Sequence, residues 1–409
     1  MFNNIVKYLI GEGLAKVIPF LMTLYVAKFL APNEYGQYSL IITYFEILFV
    51  VTSFNIQATT RIDYFKLRNV NFFRLKNNHF LLSVFWTLGI FPLVIFFTNV
   101  DVLIVLFLLA STLLRTFSTF ALAFFQCSKK VGQYILCNLI YVTSLCCFIY
   151  VFLHLGLSVN SWVFAVLIAS ITQCGIAIYF LGVNNLRKIF ASKISLKVLK
   201  VAFWSGLVFM PQALGWWLKS GAERIIISDS LGDEVLGYYS LAFQFASVVL
   251  IVTTAINLVL VPEINKCLVD KSFGKLFKIL SFFSIFFVIL SLLMPYISNV
   301  IIDNYLGADY SISKDYLFLL SFSVALQAIM MVLINVLYFE GESSLVARTI
   351  FVSFSIQTCV LYLVTEYVNI AGVIYISIFS NAIVLSIVVS RVYFVFKDSG
   401  FDFNEMRGR

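Results

Sequence analysis

The chain alternates between long apolar runs and short polar gaps from one end to the other. Each run holds about twenty residues, which is enough for a helix to cross a bilayer. Lipid cannot satisfy exposed backbone groups, so such runs fold as helices, and they lack the apolar–polar alternation of membrane β-strands. The pattern predicts twelve spans, at about residues 8–30, 36–59, 80–98, 102–126, 134–153, 161–182, 201–228, 236–261, 277–300, 316–338, 346–365 and 370–396.

Composition leaves no room for a separate soluble domain. Of the 409 residues, 61% are hydrophobic and only 12% are charged. The first apolar run contains Glu12 and Lys16 and has no small-residue cleavage site, which favours a retained span over a signal peptide. None of the seven cysteines is in a CxxC pair or near a histidine at metal-ligand spacing, so no metal site is predicted.

The basic residues define the orientation of the spans. Most of the 28 lysines and arginines lie in alternate gaps, including 61–79, 127–133, 183–200 and 262–278, whereas the other gaps carry acids and Lys314 alone. The positive-inside rule therefore predicts that both termini are cytoplasmic. The residues that give the net charge of +8 lie mostly in the loops between spans, which argues against a nucleic acid as partner. Membrane lipids are the expected surroundings of the spans.

An internal repeat divides the chain. Leu30–Leu40 reads LAPNEYGQYSL and Leu231–Leu241 reads LGDEVLGYYSL, at an offset of 201 residues. Chance similarity between membrane sequences is the alternative, but both segments follow the first span of a six-span half, which favours duplication. The predicted fold is all-α, with two pseudo-repeated six-helix bundles around a central cavity. The predicted domains are 1–190 and 191–409, the second ending in a short cytoplasmic tail.

The repeated segments also carry a family resemblance. Ala27–Tyr38, which reads AKFLAPNEYGQY, resembles the first outer loop of Wzx-type polysaccharide flippases, and Glu223–Ile227 with Leu236–Ser240 resembles the matching stretch of their second half. That family often has Asp at the position of Glu223. It belongs to a larger group that includes multidrug and toxic-compound extrusion antiporters and the peptidoglycan lipid flippase.

The resemblance implies a function in the bacterial cytoplasmic (inner) membrane. It implies translocation of an undecaprenyl-diphosphate-linked oligosaccharide, an O-antigen or capsule repeat unit, to the outer leaflet by alternating access. It also implies association with the O-antigen polymerase and the chain-length regulator.

Five cations break the loop pattern because they lie within predicted spans. An ionised side chain at mid-bilayer costs at least about 2.5 kcal/mol, so such groups face a protein interior or a water-filled cavity. A diphosphate needs compensating charge to cross the membrane, and the planar fork of arginine suits it. The expected cationic path consists of Lys16, Lys28, Arg115, Lys219 and Arg224, with Arg61 at the cytoplasmic entry.

Each of these cations also has a purely structural explanation, except one. Lys16 lies four residues after Glu12, and Lys219 lies four before Glu223, so each lysine could simply be neutralised. Lys28 and Arg224 could snorkel to the headgroups, and Arg61 could be an ordinary inner anchor. Arg115 has no acid within a helical turn, which makes it the first candidate for substrate contact.

No cofactor is predicted, although an ion could drive transport. Glu46 lies alone in the second span, where it could couple transport to H⁺ or Na⁺ or be the partner of Arg115 or Lys16.

The sequence also bears on two other function classes. An enzyme is disfavoured because the chain has only His79 and His154, no nucleophile arrangement beside them and no large outer loop. A multidrug antiporter of the same architecture is the closer alternative. Its cavity would be expected to carry acids for organic cations, and the excess of intramembrane cations here favours an anionic substrate.

Overall fold

A computed structural model describes residues 2–97, 101–190 and 193–398. The described residues form helices joined by short turns, with no β-strand, which confirms the predicted all-α class. The helices are α1 Phe2–Phe29, α2 Pro32–Ser53, α3 Ile56–Lys66, α4 Asn69–Phe97, α5 Val102–Cys127, α6 Val131–His154, α7 Ser161–Phe190, α8 Leu196–Leu207, α9 Met210–Trp217, α10 Glu223–Leu231, α11 Asp233–Ala246, α12 Val248–Val269, α13 Phe273–Ile301, α14 Lys314–Phe339, α15 Ser343–Val364 and α16 Ile370–Asp398.

The helices account for the predicted spans. Within the described residues, ten helical segments are long and apolar enough to cross a membrane, and an eleventh span is broken, with a bend of 44° between Leu196–Leu207 and Met210–Leu231. Helix α1 coincides with the predicted first span. The protein is thus a multi-pass membrane protein. The predicted cytoplasmic tail after α16 lies outside the described residues.

The chain divides into two compact units. The N-terminal unit comprises Met1–Phe29 and Gln37–Trp217, and the C-terminal unit comprises Leu30–Gly36 and Leu218–Arg409. The division therefore follows Trp217, later than the predicted boundary at residue 190, and the short segment Leu30–Gly36 groups with the second unit. Helix α8 groups with the first unit because it packs on α4 and α3.

Aromatic rings fill the core of the N-terminal unit where α3, α4, α5 and α7 meet. Phe72 and Phe73 of α4 contact Phe124 of α5, with ring centroids 6.3 and 6.0 Å apart. Phe120 and Phe125 are fully buried in the same cluster. Ring pairs in tilted and edge-to-face arrangements add to the free energy of burial, so this cluster anchors the α3–α4–α5 group.

A break between α2 and α3 lets α8 approach closely. Phe54 and Asn55 have φ values of 45° and 50°, which end the first helix and redirect the chain. Gly206 of α8 packs on this turn, and a Cβ at Gly206 would lie 2.6 Å from the carbonyl oxygen of Phe54. Only glycine fits at this contact without a shift of the backbone.

The two copies of the repeated motif contact each other within the C-terminal unit. A Cβ at Gly36 would lie 1.9 Å from the carbonyl oxygen of Asp233, and a Cβ at Gly237 would lie 1.9 Å from that of Pro32. Pro32 and Asp233 begin α2 and α11, and both pairs of equivalent residues have the offset of 201 found in the sequence. Each glycine therefore accommodates the first carbonyl of the other copy. The phenolic oxygen of Tyr310 donates to the carbonyl oxygen of Leu30 beside this contact, at 2.9 Å.

We expect Gly36→Ala and Gly237→Ala each to destabilise the protein. The added methyl group would overlap a backbone oxygen that cannot rotate away, at a cost of about 3 kcal/mol in the free energy of unfolding. Thermal unfolding of the purified protein in detergent measures the effect. Gly89→Ala is the matched control, since a Cβ there meets no atom within 4 Å and alanine favours the helix. Equal unfolding temperatures for all three variants would contradict the reciprocal contact.

Candidate functional site

The predicted cations are divided between the two units. Lys16, Lys28, Arg61 and Arg115 belong to the N-terminal unit, and Lys219 and Arg224 belong to the C-terminal unit. The surroundings of these cations differ within each unit. Some cations form ion pairs inside the protein, whereas others keep hydrogen-bonding capacity that a ligand could use.

Arg115 lies midway along α5 and rests on two aromatic rings. Its guanidinium carbon is 4.1 Å from the ring centroid of Tyr141 in α6 and 5.7 Å from that of Phe49 in α2. The Nη1 atom is buried and has no hydrogen-bond partner, and no acidic side chain in the described part of the chain forms an ion pair with Arg115. Rings on the faces of a guanidinium stabilise its charge, and the N–H groups of Nη1 keep hydrogen-bonding capacity for an anion.

Lys16 is half-buried on α1, one turn after Glu12. The Glu12 carboxylate accepts a short hydrogen bond from the phenol of Tyr134 in α6, so α1 and α6 share a polar contact here. Glu46, the candidate coupling residue, is exposed on α2. It lies three residues, about one helical turn, before Phe49. The Phe49 ring is the one that lies beside the Arg115 guanidinium.

Lys28 and Arg61 are exposed on their helices. Lys28 is in the last turn of α1, and Arg61 is in α3 beyond the break that follows α2. Such positions suit either a headgroup contact or a first contact with an anionic substrate.

Lys219 and Glu223 form a buried ion pair in the C-terminal unit. Their exposed fractions are 4% and 1%, and the ammonium lies 3.2 Å from the carboxylate. The ammonium also donates to the hydroxyl of Ser377 in α16 at 2.5 Å, and the Tyr239 hydroxyl donates to the carboxylate at 2.9 Å. The charge of Lys219 is therefore compensated within the protein. This is the structural explanation, neutralisation by Glu223, that the spacing of four residues allows.

Arg224 is half-buried one residue further along α10. Its guanidinium carbon lies 5.3 Å from the ring centroid of Phe243 in α11, and its Nε atom is buried with no hydrogen-bond partner among the residues that the structure describes. Arg224 thus repeats, in the C-terminal unit, the ring-supported environment of Arg115.

The family described as "Polysaccharide biosynthesis protein" matches residues 1–268.

The chain belongs to this polysaccharide biosynthesis family.

A curated relative has a similar sequence over nearly its full length. It is protein 1 of the Lsg locus of Haemophilus influenzae, which is 24% identical over 385 residues, covering 91% of this chain and 94% of that protein. Membership of the polysaccharide family accords with the Wzx-type resemblance.

Solved structures show the same fold at low identity. An inward-facing multidrug-resistance MATE family transporter of the MOP superfamily has a TM-score of 0.68 and 13% identity, covering 94% of this chain and 96% of that one. The outward-facing structure of a MATE family transporter has a TM-score of 0.61 and 15% identity, covering 97% and 96%. The polysaccharide family member described here therefore has a MATE-like fold.

Sequence reasoning missed one buried charge in this family member. Lys76 was counted among the cytoplasmic loop cations, but it is fully buried in α4, with its ammonium 2.7 Å from the Asp63 carboxylate and 2.9 Å from the Thr59 hydroxyl of α3. The signal was available, because Asp63 is the one acid in the basic gap 61–79. The pair joins α3 to α4, so it organises the inner part of the N-terminal unit.

The two histidines have packing roles in the structure. His79 is fully buried in α4, with Nε2 3.2 Å from the carbonyl oxygen of Ser53 at the end of α2. His154 at the end of α6 lies 3.0 Å from the Tyr25 hydroxyl and contacts the rings of Tyr150 and Phe29. Across residues 2–97, 101–190 and 193–398, no group of three or more metal-binding side chains occurs.

We expect Asp63→Asn to destabilise the N-terminal unit. It would leave the Lys76 ammonium buried without a counter-ion, at a cost of about 3 kcal/mol in the free energy of unfolding. The double variant Asp63→Asn with Lys76→Met removes both charges and should recover much of the loss, as thermal unfolding in detergent would measure.

The matched control is the surface pair Lys275–Glu263, in which both side chains are largely exposed. Glu263→Gln should change the unfolding temperature little, because exposed ion pairs contribute little to stability. A similar small effect for Asp63→Asn would argue against a structural role for the buried pair.

Proposed function

We propose that this protein is a flippase that moves an undecaprenyl-diphosphate-linked oligosaccharide repeat unit from the cytoplasmic to the outer leaflet of the bacterial inner membrane. The repeat unit would be that of an O-antigen or a capsule. Family membership supports a part in polysaccharide biosynthesis, and the MATE-like fold supports transport by alternating access.

The environment of Arg115 is the observation that carries this proposal. A diphosphate inside the membrane needs a cation that is not already neutralised by the protein. Arg115 meets this need, because its guanidinium rests on Tyr141 and Phe49 and its buried Nη1 has no protein acceptor. Two edge N–H groups can bind phosphate oxygens in parallel, which lysine cannot do.

The other cations take secondary places in this proposal. Arg61 would receive the diphosphate at the cytoplasmic end, and Lys16, Lys28 and Arg224 would extend the path across the membrane. Lys219 would contribute only if its pair with Glu223 opened, since its ammonium is engaged in the described state.

An ion gradient could power the cycle through Glu46. This carboxyl group lies one turn from Phe49, so binding of a proton or Na⁺ at Glu46 would alter the field at Arg115. The polymerase and chain-length regulator of the same pathway are proposed as partners, because they would act on the translocated unit.

Deletion of the gene should abolish the surface polysaccharide. Single repeat units on undecaprenyl diphosphate should then accumulate at the cytoplasmic face, as analysis of extracted lipid-linked sugars would measure. Unchanged surface polysaccharide together with a gain in drug sensitivity would contradict the proposal and favour the multidrug antiporter instead.

Complementation with Arg115 variants tests the site itself. Arg115→Ala should lower rescue at least about tenfold at normal membrane levels, because it removes the charge and the fork. Arg115→Lys should rescue partially, since it keeps the charge but not the planar geometry. Arg187→Ala, which removes an exposed arginine from α7 of the same unit, should rescue fully. Full rescue by Arg115→Ala would show that Arg115 is not part of the substrate path. The flippase function itself would still be tested by the deletion experiment.

A further inference from the structure

A cluster of oxygen-bearing side chains surrounds the Lys219 ammonium inside the C-terminal unit. We call it the Lys219 pocket and define it by Lys219, Glu223, Tyr239, Gln357 and Ser377. The four side chains around Lys219 come from four helices: Glu223 from α10, Tyr239 from α11, Gln357 from α15 and Ser377 from α16. Each of them is at most 3% exposed. An enclosed polar cluster of this kind needs every charge compensated from within.

The backbone at Lys219 is unusual. Residues Leu218–Ala222 form a π-helical turn between α9 and α10, with Lys219 buried in it. Single π-helical turns inside α-helices occur frequently at functional sites. Here the turn places the Lys219 ammonium against the hydroxyl of Ser377 in α16.

The hydrogen bonds converge on the one carboxylate of the pocket. Lys219 donates to Oε2 of Glu223 at 3.2 Å, and the Gln357 amide donates to the same oxygen at 3.3 Å. The Tyr239 hydroxyl donates to Oε1 at 2.9 Å, and Lys219 donates also to Ser377 at 2.5 Å. The ammonium is thus held by one charged and one neutral oxygen.

Further polar side chains lie beside the Lys219 pocket. The Ser377 hydroxyl is 3.5 Å from that of Ser323, and the Asn381 amide donates to the Ser323 hydroxyl at 2.9 Å. In the described part of the chain, the carbonyl oxygens of the Gln357 and Asn381 side chains are buried without a hydrogen-bond partner. Unpaired buried oxygens are costly next to apolar atoms and are stabilised near a cation.

The charge of the pocket matches a monovalent cation. Glu223 supplies one negative charge, and the nearest additional cation along the helix, Arg224, lies against the ring of Phe243. Carboxylate, hydroxyl and amide oxygens are the donors that hard cations prefer. A divalent ion would leave one positive charge uncompensated in a buried position.

We propose that Lys219 is a built-in cation, whose ammonium occupies a monovalent-cation site formed by the Glu223 carboxylate and the Ser377 hydroxyl, with Tyr239 and Gln357 orienting the carboxylate. The wild-type pocket then takes no sodium, and removal of the ammonium turns it into a sodium site. This proposal is independent of the flippase function.

Thermal unfolding of purified Lys219→Ala in detergent tests the proposal, with NaCl and choline chloride compared at equal ionic strength. The variant should show a saturable rise in Tm of about 2–5 °C in sodium. The wild type should unfold at the same temperature in both salts. The double variant Lys219→Ala with Glu223→Gln should lose the sodium effect, because the charged ligand is gone.

Lys76→Ala is the matched control, since it also truncates a fully buried lysine that is paired with a carboxylate and a hydroxyl. Asp63 is partly exposed, so this variant should lose stability equally in both salts. If the Tm of Lys219→Ala does not rise in sodium, the Lys219–Glu223 pair is an ordinary ion pair and the proposal is overturned. Aggregation of this variant in every salt has the same meaning, because sodium would then not replace the ammonium. A sodium gain that persists in the double variant overturns it as well.

Discussion

Lipid hydrocarbon offers no hydrogen-bond partner and little screening, so every polar group placed within it must be compensated by the protein itself. This constraint explains why the described chain is helical throughout, since helices satisfy their own backbone. It also explains why the charged residues within the spans are informative. Each must have a partner, lie at an interface or serve a ligand, and the structure assigns several of them among these alternatives.

Three cations within the helices illustrate three kinds of compensation. Lys76 is neutralised by Asp63 across α3 and α4, and Lys219 by Glu223 within one helix. Arg115 is supported by the faces of Phe49 and Tyr141 instead, with part of its hydrogen-bonding capacity unused. A charge stabilised by rings can bind an anion without first breaking an ion pair. That difference in energy is why Arg115, and not either lysine, carries the proposed function.

The repeated motif has a structural purpose that its sequence did not reveal. Two glycines at equivalent positions allow the first residues of α2 and α11 to approach within a distance that no side chain would permit. Because the contact is reciprocal, a change in either copy disturbs the other. It also explains why the short segment Leu30–Gly36 groups with the C-terminal unit although the helix that it begins continues in the N-terminal one.

The sequence by itself determined the fold class, the approximate spans and the existence of the repeat, because hydropathy and charge act locally and leave a periodic record. It also singled out Arg115, which lacks an acid within a helical turn. Only the tertiary structure decided which charges meet. Three features depend on how the helices pack: the Lys76–Asp63 pair, the ring contacts of Arg115, and the convergence of α11, α15 and α16 on Glu223. Helix packing brings together residues that are far apart in the chain, and the pattern of a single sequence does not specify these contacts. The division into compact units after Trp217 also depends on packing, since Gly206 of α8 packs on a turn far away in the chain.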